Sequence, residues 1–350
     1  MNRLLVGSAD KTALLLSMMA EEFSSGFLLI DTRGTLAEEV ADRAPVERTC
    51  YLDTADTARP FGLSVLDGVL KDDRHRVAKD VCAFFDVIFP EGPTTLSRAR
   101  SNYLLLNSLL LLMEGFAPNI LSIPKLLSDS DYRTKCLRHC TDPVVRNFWE
   151  AEFPEWEDDD ILPLRSKLGE LFASSLIRNI IGQTRSTFSL SSGRITIANL
   201  DRSKLGDATA FLLGSLLLSR SQGATYISDL AFFASDHLAG MLAQDRFTLS
   251  LDYLDALPVK LRSAVLAIPD KTAFKCAPAD ADRIYFDLNI QNPTILTDLL
   301  PHEAQTKRGT IEPSAPANAA RLGANRRHSR ALFTRPREKV ERKVSRFFTA

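Results

Sequence analysis

The sequence predicts an α/β fold with a mainly parallel central sheet and an inserted all-helical subdomain. Residues 26–34 hold a continuous apolar run that ends in a turn, typical of a strand covered by helices on both faces. Strand and helix patterns alternate over residues 1–70 and again over 164–305, as in sheets whose parallel strands are joined by helices. Residues 71–163 show helical spacing throughout, which predicts an all-α insert. Residues 306–350 are predicted to form a linker and a basic C-terminal tail with a terminal helix.

The individual elements follow from local signals. Thr35 and Asp207 are side chains that cap helices, and Pro45 ends the helix that Thr35 begins. The predicted strands are one beginning at Arg3, one within 26–34, and 48–52, 194–200, 224–229, 247–251 and 271–276. The predicted helices are 13–23, 36–43, 77–89, 97–113, 123–127, 130–140, 143–152, 164–180, 208–220 and 337–348. Prolines separate the helices of the insert (Pro90, Pro93 and Pro118).

Two further features concern the C-terminal region. Its richness in Pro, Ala and Gly over residues 309–324 predicts a linker. In the last helix, Val340, Val344, Phe347 and Phe348 fall on one face, as expected of a helix that docks on a neighbour.

Composition predicts an ordinary soluble protein. Hydrophobic residues make up 45% and charged residues 25% of the 350. The five cysteines are scattered and odd in number, which favours reduced thiols in the cytosol over a disulfide framework. The most apolar segment, 103–113, is far shorter than the roughly 20 residues that a membrane span needs. We expect a cytoplasmic protein that reaches the inner membrane, if at all, through its partners.

Charge is distributed unevenly along the chain. Residues 321–350 contain ten Lys and Arg against two acidic residues, a net charge of +8. The preceding 320 residues contain the other 33 Lys and Arg against 42 acidic residues, a net charge of −9. A basic tail on an acidic body can contact a nucleic-acid backbone, an acidic partner or the protein's own body.

The first strand, loop and helix occupy the place of a nucleotide-binding loop. Such a loop reads G-x-x-x-x-G-K-[ST], because its glycines let the backbone N–H groups surround phosphate and its lysine reaches the outer phosphates. Here Gly7 precedes Lys11 and Thr12, but the loop is about two residues short of that pattern and lacks the second glycine. Asp10 adds a negative charge where phosphate lies in such loops.

Several ordered blocks make the chain resemble the motor domain of conjugative coupling proteins of type IV secretion. The segment IDTRGTLAEE, within residues 27–39, is similar to the family's IDPKGDLAEE, and RPFGLSVL at 59–66 is similar to its RPxGFNPL. Further similar blocks follow in family order at 142–150, 167–169, 177–183, 205–214, 329–330 and 335–341. The resemblance covers nearly the whole chain. It implies a RecA-like P-loop NTPase fold, hexameric rings with ATP between neighbours, and DNA in the central channel.

The resemblance also assigns roles that this sequence alters. Residues 226–233 align with the Walker B segment, so Ser228 stands at the Mg²⁺-binding Asp and Asp229 at the catalytic Glu. Asp252 stands at the glutamine that senses the γ-phosphate. Gly7, Lys11 and Thr12 remain as candidate nucleotide-binding residues. A hydroxyl is a poor substitute for a Mg²⁺-binding carboxylate, and a shorter acid in place of Glu misplaces the base.

These alterations predict a degenerate motor, a non-hydrolysing or weakly hydrolysing subunit of a DNA-transfer or type IV secretion assembly. ATP and Mg²⁺ would then be cofactors only if the altered site still binds them. Partners implied are DNA, secretion or conjugation proteins, and a homo- or hetero-oligomeric ring.

Two other functions stay open. One is an active DNA-translocating ATPase in which Lys11, Thr12 and Asp229 still serve. The other is a nucleic-acid-binding module that uses the tail arginines (Arg326, Arg327, Arg330, Arg335 and Arg337). Arg178 is a candidate arginine finger, against the simpler interpretation of a helix-surface arginine.

Overall fold

The computed structural model describes residues 1–89, 95–115, 119–190 and 193–349. The helix breaks predicted at Pro90, Pro93 and Pro118 lie outside these residues. The chain divides into two compact units. Unit 1 comprises Met1–Asp53, Leu190–Gly214 and Ser221–Ala331, and unit 2 comprises Thr54–Ser189, Ser215–Arg220 and Leu332–Ala350. The insert and tail boundaries at residues 71, 164 and 306 stay a prediction.

Across the described residues, nine strands form one sheet in unit 1 with the order β3-β4-β2-β5-β6-β1-β7-β8-β9. The strands are β1 (Arg3–Val6), β2 (Phe27–Asp31), β3 (Thr49–Asp53), β4 (Ile195–Asn199), β5 (Thr225–Ile227), β6 (Phe247–Leu251), β7 (Asp270–Ala273), β8 (Ala304–Thr306) and β9 (Gly309–Ile311). All neighbours from β3 to β7 pair in parallel, whereas β8 and β9 add an antiparallel edge. The predicted mainly parallel α/β sheet is confirmed.

Helices occupy much of both units. They are α1 (Thr12–Glu21), α2 (Thr35–Arg43), α3 (Arg74–Ile88), α4 (Thr95–Glu114), α5 (Ile123–Ser128), α6 (Ser130–Leu137), α7 (Pro143–Asn147), α8 (Asp158–Ala173), α9 (Ser175–Ile181), α10 (Arg202–Leu205), α11 (Asp207–Arg220), α12 (Asp236–Met241), α13 (Val259–Leu266), α14 (Pro278–Ile284), α15 (Thr294–Asp298), α16 (Leu322–Phe333) and α17 (Arg337–Thr349). Among the described residues, no helix combines the length and apolarity that crossing a bilayer requires.

The sheet is buried on both faces, as its unbroken apolar strands predicted. Every residue of β2, β4 and β6 is buried. On one face, alternate strand residues such as Leu29, Ile197 and Tyr226 belong to a single core cluster with Met19 of α1 and Val40 of α2. Because side chains of a strand alternate between faces, this one cluster ties α1 and α2 to the middle of the sheet.

Parallel pairing places the carboxyl ends of β1, β2, β5 and β6 at the same edge of the sheet. In the sheet order, β6 lies between β1 and β5, and β5 lies beside β2. Lys11 follows β1, Asp252 follows β6 and Ser228 follows β5. Asp31 is the last residue of β2, and Arg33 lies in the loop after it. Open α/β sheets bind ligands at this edge.

Unit 2 supplies the all-helical insert. Between residues 71 and 189 the described residues contain helices and turns but no strand. The single helix predicted over 164–180 is wrong in one respect, since Ser174 separates α8 from α9 and its hydroxyl accepts the Ile177 N–H at 3.4 Å. Ser174 favours the start of a helix because its hydroxyl oxygen accepts a backbone N–H of the first turn. The spacing of apolar residues gives no information about such a cap.

The last helix docks as its pattern predicted. Val340 and Val344 of α17 are 2% and 4% exposed, and α17 contacts α9. The side chain of Phe348 lies outside the described residues.

The linker predicted over residues 309–324 is only partly correct. Gly309–Ile311 form β9, whose Ile311 pairs with Ala304 of β8, and α16 begins at Leu322. A three-residue strand at a sheet edge forms because its backbone pairs with the neighbouring strand. The Pro and Gly residues near β9 favour turns, so composition did not predict this strand.

Helix α16 packs on unit 1 rather than extending from it. Its buried Asn325 donates two hydrogen bonds from Nδ2, to the Ala41 carbonyl at 2.6 Å and to the Ala44 carbonyl at 3.1 Å. Its Ser329 hydroxyl accepts the Tyr51 N–H of the edge strand β3 at 2.8 Å. Part of the basic tail thus covers a sheet edge and satisfies carbonyls at the end of α2.

Asn325→Ala is expected to destabilise the protein by about 1–3 kcal/mol, since it leaves two buried carbonyls without their donor. Urea denaturation followed by circular dichroism measures the change. Arg327→Ala, on the exposed side of the same helix, is the matched control and should stay within about 0.5 kcal/mol of the parent. Equal stability of the two variants would show that the hydrogen bonds of Asn325 do not stabilise the fold.

Candidate nucleotide site

The loop between β1 and α1 is held tightly against the chain that leaves β7. Gly7 has a φ of +126°, and a Cβ at this position would lie 2.8 Å from the carbonyl carbon of Phe274. The next residue, Ser8, donates its N–H to the Lys275 carbonyl at 2.9 Å. Only glycine fits both this φ and this approach of two backbones.

The N-terminus of α1 is occupied by the loop's own carboxylate. Asp10 Oδ1 accepts the Thr12 N–H at 2.9 Å and the Thr12 hydroxyl at 2.6 Å. In a working loop these two groups face phosphate and Mg²⁺. A helix N-terminus favours an anion because its N–H groups are unpaired and its dipole is positive there, and here Asp10 supplies that anion.

Lys11 is paired inside the protein. Its side chain is 6% exposed, and its Nζ lies 2.8 Å from Asp252 Oδ1 and 3.3 Å from the Ala9 carbonyl oxygen. Arg33 approaches the other carboxylate oxygen of Asp252, with Nη2 3.3 Å from Oδ2. The structure therefore brings together two residues predicted for the site, Lys11 and Asp252, and adds Arg33 to them.

The contacts with Lys11 and Arg33 change the pKa of Asp252. Partial burial raises the pKa of its carboxyl group, but the hydrogen bond and charge of Lys11, followed by the charge of Arg33, outweigh burial and lower the pKa below its usual value. The carboxylate thus stays ionised at neutral pH.

Ser228 contacts a carboxylate that sequence reasoning did not place in the site. Its hydroxyl donates to Asp31 Oδ1 at 2.9 Å. Asp31 is 1% exposed, and it also accepts the N–H groups of Arg33 at 3.1 Å and Ala37 at 2.8 Å. The signal was present in the IDTRG segment, where an Asp ends a fully buried strand, but that segment was taken only as a block of resemblance.

These side chains fit Mg²⁺ poorly. Mg²⁺ is usually held by one or two carboxylates together with phosphate oxygens and water. Both oxygens of Asp31 already accept hydrogen bonds, and the Thr12 hydroxyl donates to Asp10. A metal bound by these groups would therefore share its ligand atoms with hydrogen bonds of the chain.

Asp229, the predicted catalytic residue, faces Arg202. Its Oδ2 lies 3.5 Å from Arg202 Nη1, and its side chain is 15% exposed. Its Oδ1 accepts the Phe232 N–H at 3.4 Å, and the guanidinium of Arg202 lies 4.3 Å from the centre of the Phe232 ring. The catalytic role of Asp229 stays a prediction.

The remaining predicted site residues lie apart from this cluster in the sequence and have local partners. In unit 2, Arg178 Nη1 donates to the Phe172 and Ala173 carbonyls at the end of α8, which satisfies acceptors that the helix leaves open. Arg326 pairs with Glu38 at 2.7 Å and Arg337 with Glu341 at 2.6 Å. The side chains of Arg327, Arg330 and Arg335 are exposed. The finger role and the DNA-binding role stay predictions.

Comparison with solved structures identifies the fold. The structure of the bacterial conjugative coupling protein TrwBdeltaN70 superposes with a TM-score of 0.55 and 14% identity, over 91% of this chain and 87% of that chain. The chain has the fold of TrwB. The plasmid coupling protein TrwB in complex with ADP and Mg²⁺ superposes with a TM-score of 0.56 and 13% sequence identity. Its complex with a non-hydrolysable ATP analogue superposes with a TM-score of 0.54 and 15% identity, and both cover the same shares of the two chains.

The TrwB fold confirms the RecA-like architecture predicted from the resemblance. At 13–15% identity the likeness establishes the fold and leaves the chemistry to this chain's own residues. No family model matches the sequence, and no curated protein matches it.

Asp252 is expected to titrate below the usual Asp value of about 3.9. Its contribution to stability is present above that value and is lost as pH falls through the lowered pKa of the folded state. Carboxyl-detected NMR titration measures this directly. Lys11→Gln should raise the pKa of Asp252 more than Arg33→Gln does, because Lys11 supplies the larger favourable interaction. An Asp252 pKa that is unchanged in Lys11→Gln would contradict the pairing.

Proposed function

We propose that this chain is a RecA-like subunit of a conjugative DNA-transfer assembly whose phosphate loop is closed by the chain's own carboxylates, so that hydrolysis of ATP is lost or weak. The observation that carries the proposal is the contact between the buried Lys11 and Asp252, 2.8 Å from Nζ to Oδ1. Lys11 stands at the position of the lysine that contacts phosphate in an active loop, and here it is already paired with the Asp252 carboxylate.

Nucleotide must therefore compete with the protein for its own binding groups. A phosphate cannot reach Lys11 Nζ from the side of Asp252 without displacing that carboxylate, and it cannot accept the Thr12 N–H without displacing Asp10. Two like charges about 4 Å apart repel by several kcal/mol at the effective dielectric constant of a protein surface. Both displaced aspartates would remain near the incoming triphosphate.

The hydrolytic step lacks its usual groups as well. Water attack on a γ-phosphate needs a positioned base or water-orienting residue and a bound Mg²⁺. Asp229, in the position of the base, is held by Arg202 at 3.5 Å. Ser228, in the metal position, donates to Asp31. These contacts support loss of hydrolysis independently of nucleotide affinity.

The partners and location proposed for this subunit follow from the fold and the resemblance. They are DNA, conjugation or secretion proteins, and other subunits of a ring. The proposed location is the cytoplasm, with recruitment to the inner membrane by those partners.

ATP turnover in the presence of Mg²⁺ and DNA is expected to be no higher than that of Lys11→Ala, because the parent's Lys11 is already paired. Asp252→Asn should bind a fluorescent ATP analogue about tenfold more tightly than the parent, since it keeps an acceptor for Lys11 but removes the competing charge. Steady-state phosphate release and fluorescence anisotropy measure the two quantities.

The matched control is Asp255→Asn. It makes the same charge change three positions along the chain, at an exposed carboxylate that pairs with Arg262 and Arg283. Its nucleotide affinity should equal that of the parent. Turnover by the parent clearly above Lys11→Ala would establish the rival function, an active ATPase. Identical affinities for Asp252→Asn and Asp255→Asn would refute closure of the loop by Asp252.

DNA binding by the tail arginines is tested best by point variants, because deleting residues 321–350 would also remove the buried Asn325 and Ser329. Arg327→Gln with Arg330→Gln should weaken binding of a labelled single-stranded oligonucleotide. The slope of log affinity against log salt should fall by about 0.7 for each lost phosphate contact. Lys260→Gln, at an exposed lysine of unit 1, is the control. Equal slopes for parent and double variant would exclude these arginines as DNA contacts.

A further inference from the structure

Unit 2 contains a groove lined by cations that form no salt bridge with any residue that the structure describes. It lies between the residues that follow α9 and helix α17, has a volume of about 610 Å³, and is lined by Arg185, Arg335, Lys339, Lys343 and Arg346 together with apolar side chains. We call these five residues the basic groove. All five are exposed.

The cations of the basic groove repel one another. Lys339 and Lys343 are four residues apart on α17, and Lys343 and Arg346 are three apart, so each pair shares a helix face. No salt bridge to any of the five is found among the residues that the structure describes, and no carboxylate lines the groove. Such a cluster is unfavourable in the isolated chain and becomes favourable when an anionic group covers it.

The floor of the groove is aliphatic. Val340 and Val344 lie beneath the cations, with Pro336 and Phe347 beside them. A site for single-stranded nucleic acid typically pairs cations with several aromatic rings on which bases stack. Among the side chains that the structure describes, this lining includes one aromatic residue, Phe347. Cations over an aliphatic floor instead suit a peptide segment that carries both carboxylates and aliphatic side chains.

The same unit presents a segment of that kind. Glu155, Glu157, Asp158 and Asp159, which we call the acidic ridge, are exposed around the N-terminus of α8. In the described residues none of these four carboxylates forms a salt bridge, although Asp160 beside them pairs with Arg100. Leu162, one turn further along α8, is 46% exposed and provides the aliphatic group.

We propose that the acidic ridge of one copy of this chain docks in the basic groove of a second copy. Four unpaired carboxylates and five unpaired cations are complementary in sign and close in number. Because ridge and groove are different surfaces, the contact is head-to-tail. A pair of copies therefore keeps one free groove and one free ridge, so the contact extends to a ring or a filament. The contact involves unit 2 alone and does not depend on the state of the nucleotide site.

Sedimentation velocity of the full chain tests the proposal. The parent should self-associate, and the association should weaken as NaCl is raised from about 0.05 to 0.5 M, since salt screens exposed charges. Lys339→Glu with Lys343→Glu, the groove variant, should weaken self-association at least about tenfold, because it places like charges opposite the ridge. Glu155→Lys with Asp158→Lys, the ridge variant, should do the same.

Mixing the two variants gives the decisive result. The reversed groove of one variant matches the reversed ridge of the other, and their unchanged ridge and groove also match. An equimolar mixture should therefore regain association, with the two variants alternating, whereas neither variant associates alone. Arg342→Glu, which reverses an exposed charge of α17 outside the groove, is the matched control and should associate as the parent does. Circular dichroism tests whether each variant is folded. If the groove variant does not fold, Lys339→Gln with Lys343→Gln is used in its place.

Other outcomes overturn the proposal. The proposal would be refuted if the parent stays monomeric at low salt, or if the groove and ridge variants associate as the parent does. A mixture that fails to pair while each variant is folded would also remove it. Binding of a labelled single-stranded oligonucleotide that is lost in the groove variant, with no self-association of the parent, would assign the groove to nucleic acid instead.

Discussion

A buried ammonium group needs an anion, and in this protein the anion is Asp252. Lys11 is almost fully covered, and a lysine removed from water without a counter-charge is strongly unfavourable. Asp252 lies directly after β6 and Lys11 directly before α1, so parallel pairing of β1 with β6 is what brings the two together. The sheet thus fixes the electrostatics of the loop.

The same edge of the sheet explains why several altered positions act together. Asp10 accepts from Thr12, Asp31 accepts from Ser228, and Arg33 lies against Asp252. Each contact pairs a group that would face phosphate or metal in an active loop with another group of the chain. A substitution at one position leaves a neighbour without a partner. These contacts therefore couple the groups at this edge of the sheet to one another.

The basic tail serves more than one purpose. Arg326 pairs with Glu38, and Asn325 and Ser329 of the same helix satisfy backbone groups of α2 and β3. Helix α17, in contrast, buries two valines, pairs Arg337 with Glu341, and leaves Lys339, Lys343 and Arg346 exposed along the groove. The positive charge of the tail is consequently divided between salt bridges within each unit and the groove cations, for which the described residues provide no salt bridge.

The sequence by itself determined the α/β class, the mainly parallel sheet and the helical insert, because unbroken apolar runs and helical spacing are local features of a sequence. The RecA-like fold was implied by the ordered blocks that resemble coupling proteins. The resemblance also indicated that Ser228, Asp229 and Asp252 depart from a working site, whereas Lys11 and Thr12 match one. The sequence did not place Asp31 or Arg33 in that site, separate α8 from α9, or show β9. Tertiary structure alone decided which carboxylate meets which cation, since residues such as Lys11 and Asp252 are 241 positions apart and meet only when the sheet is assembled.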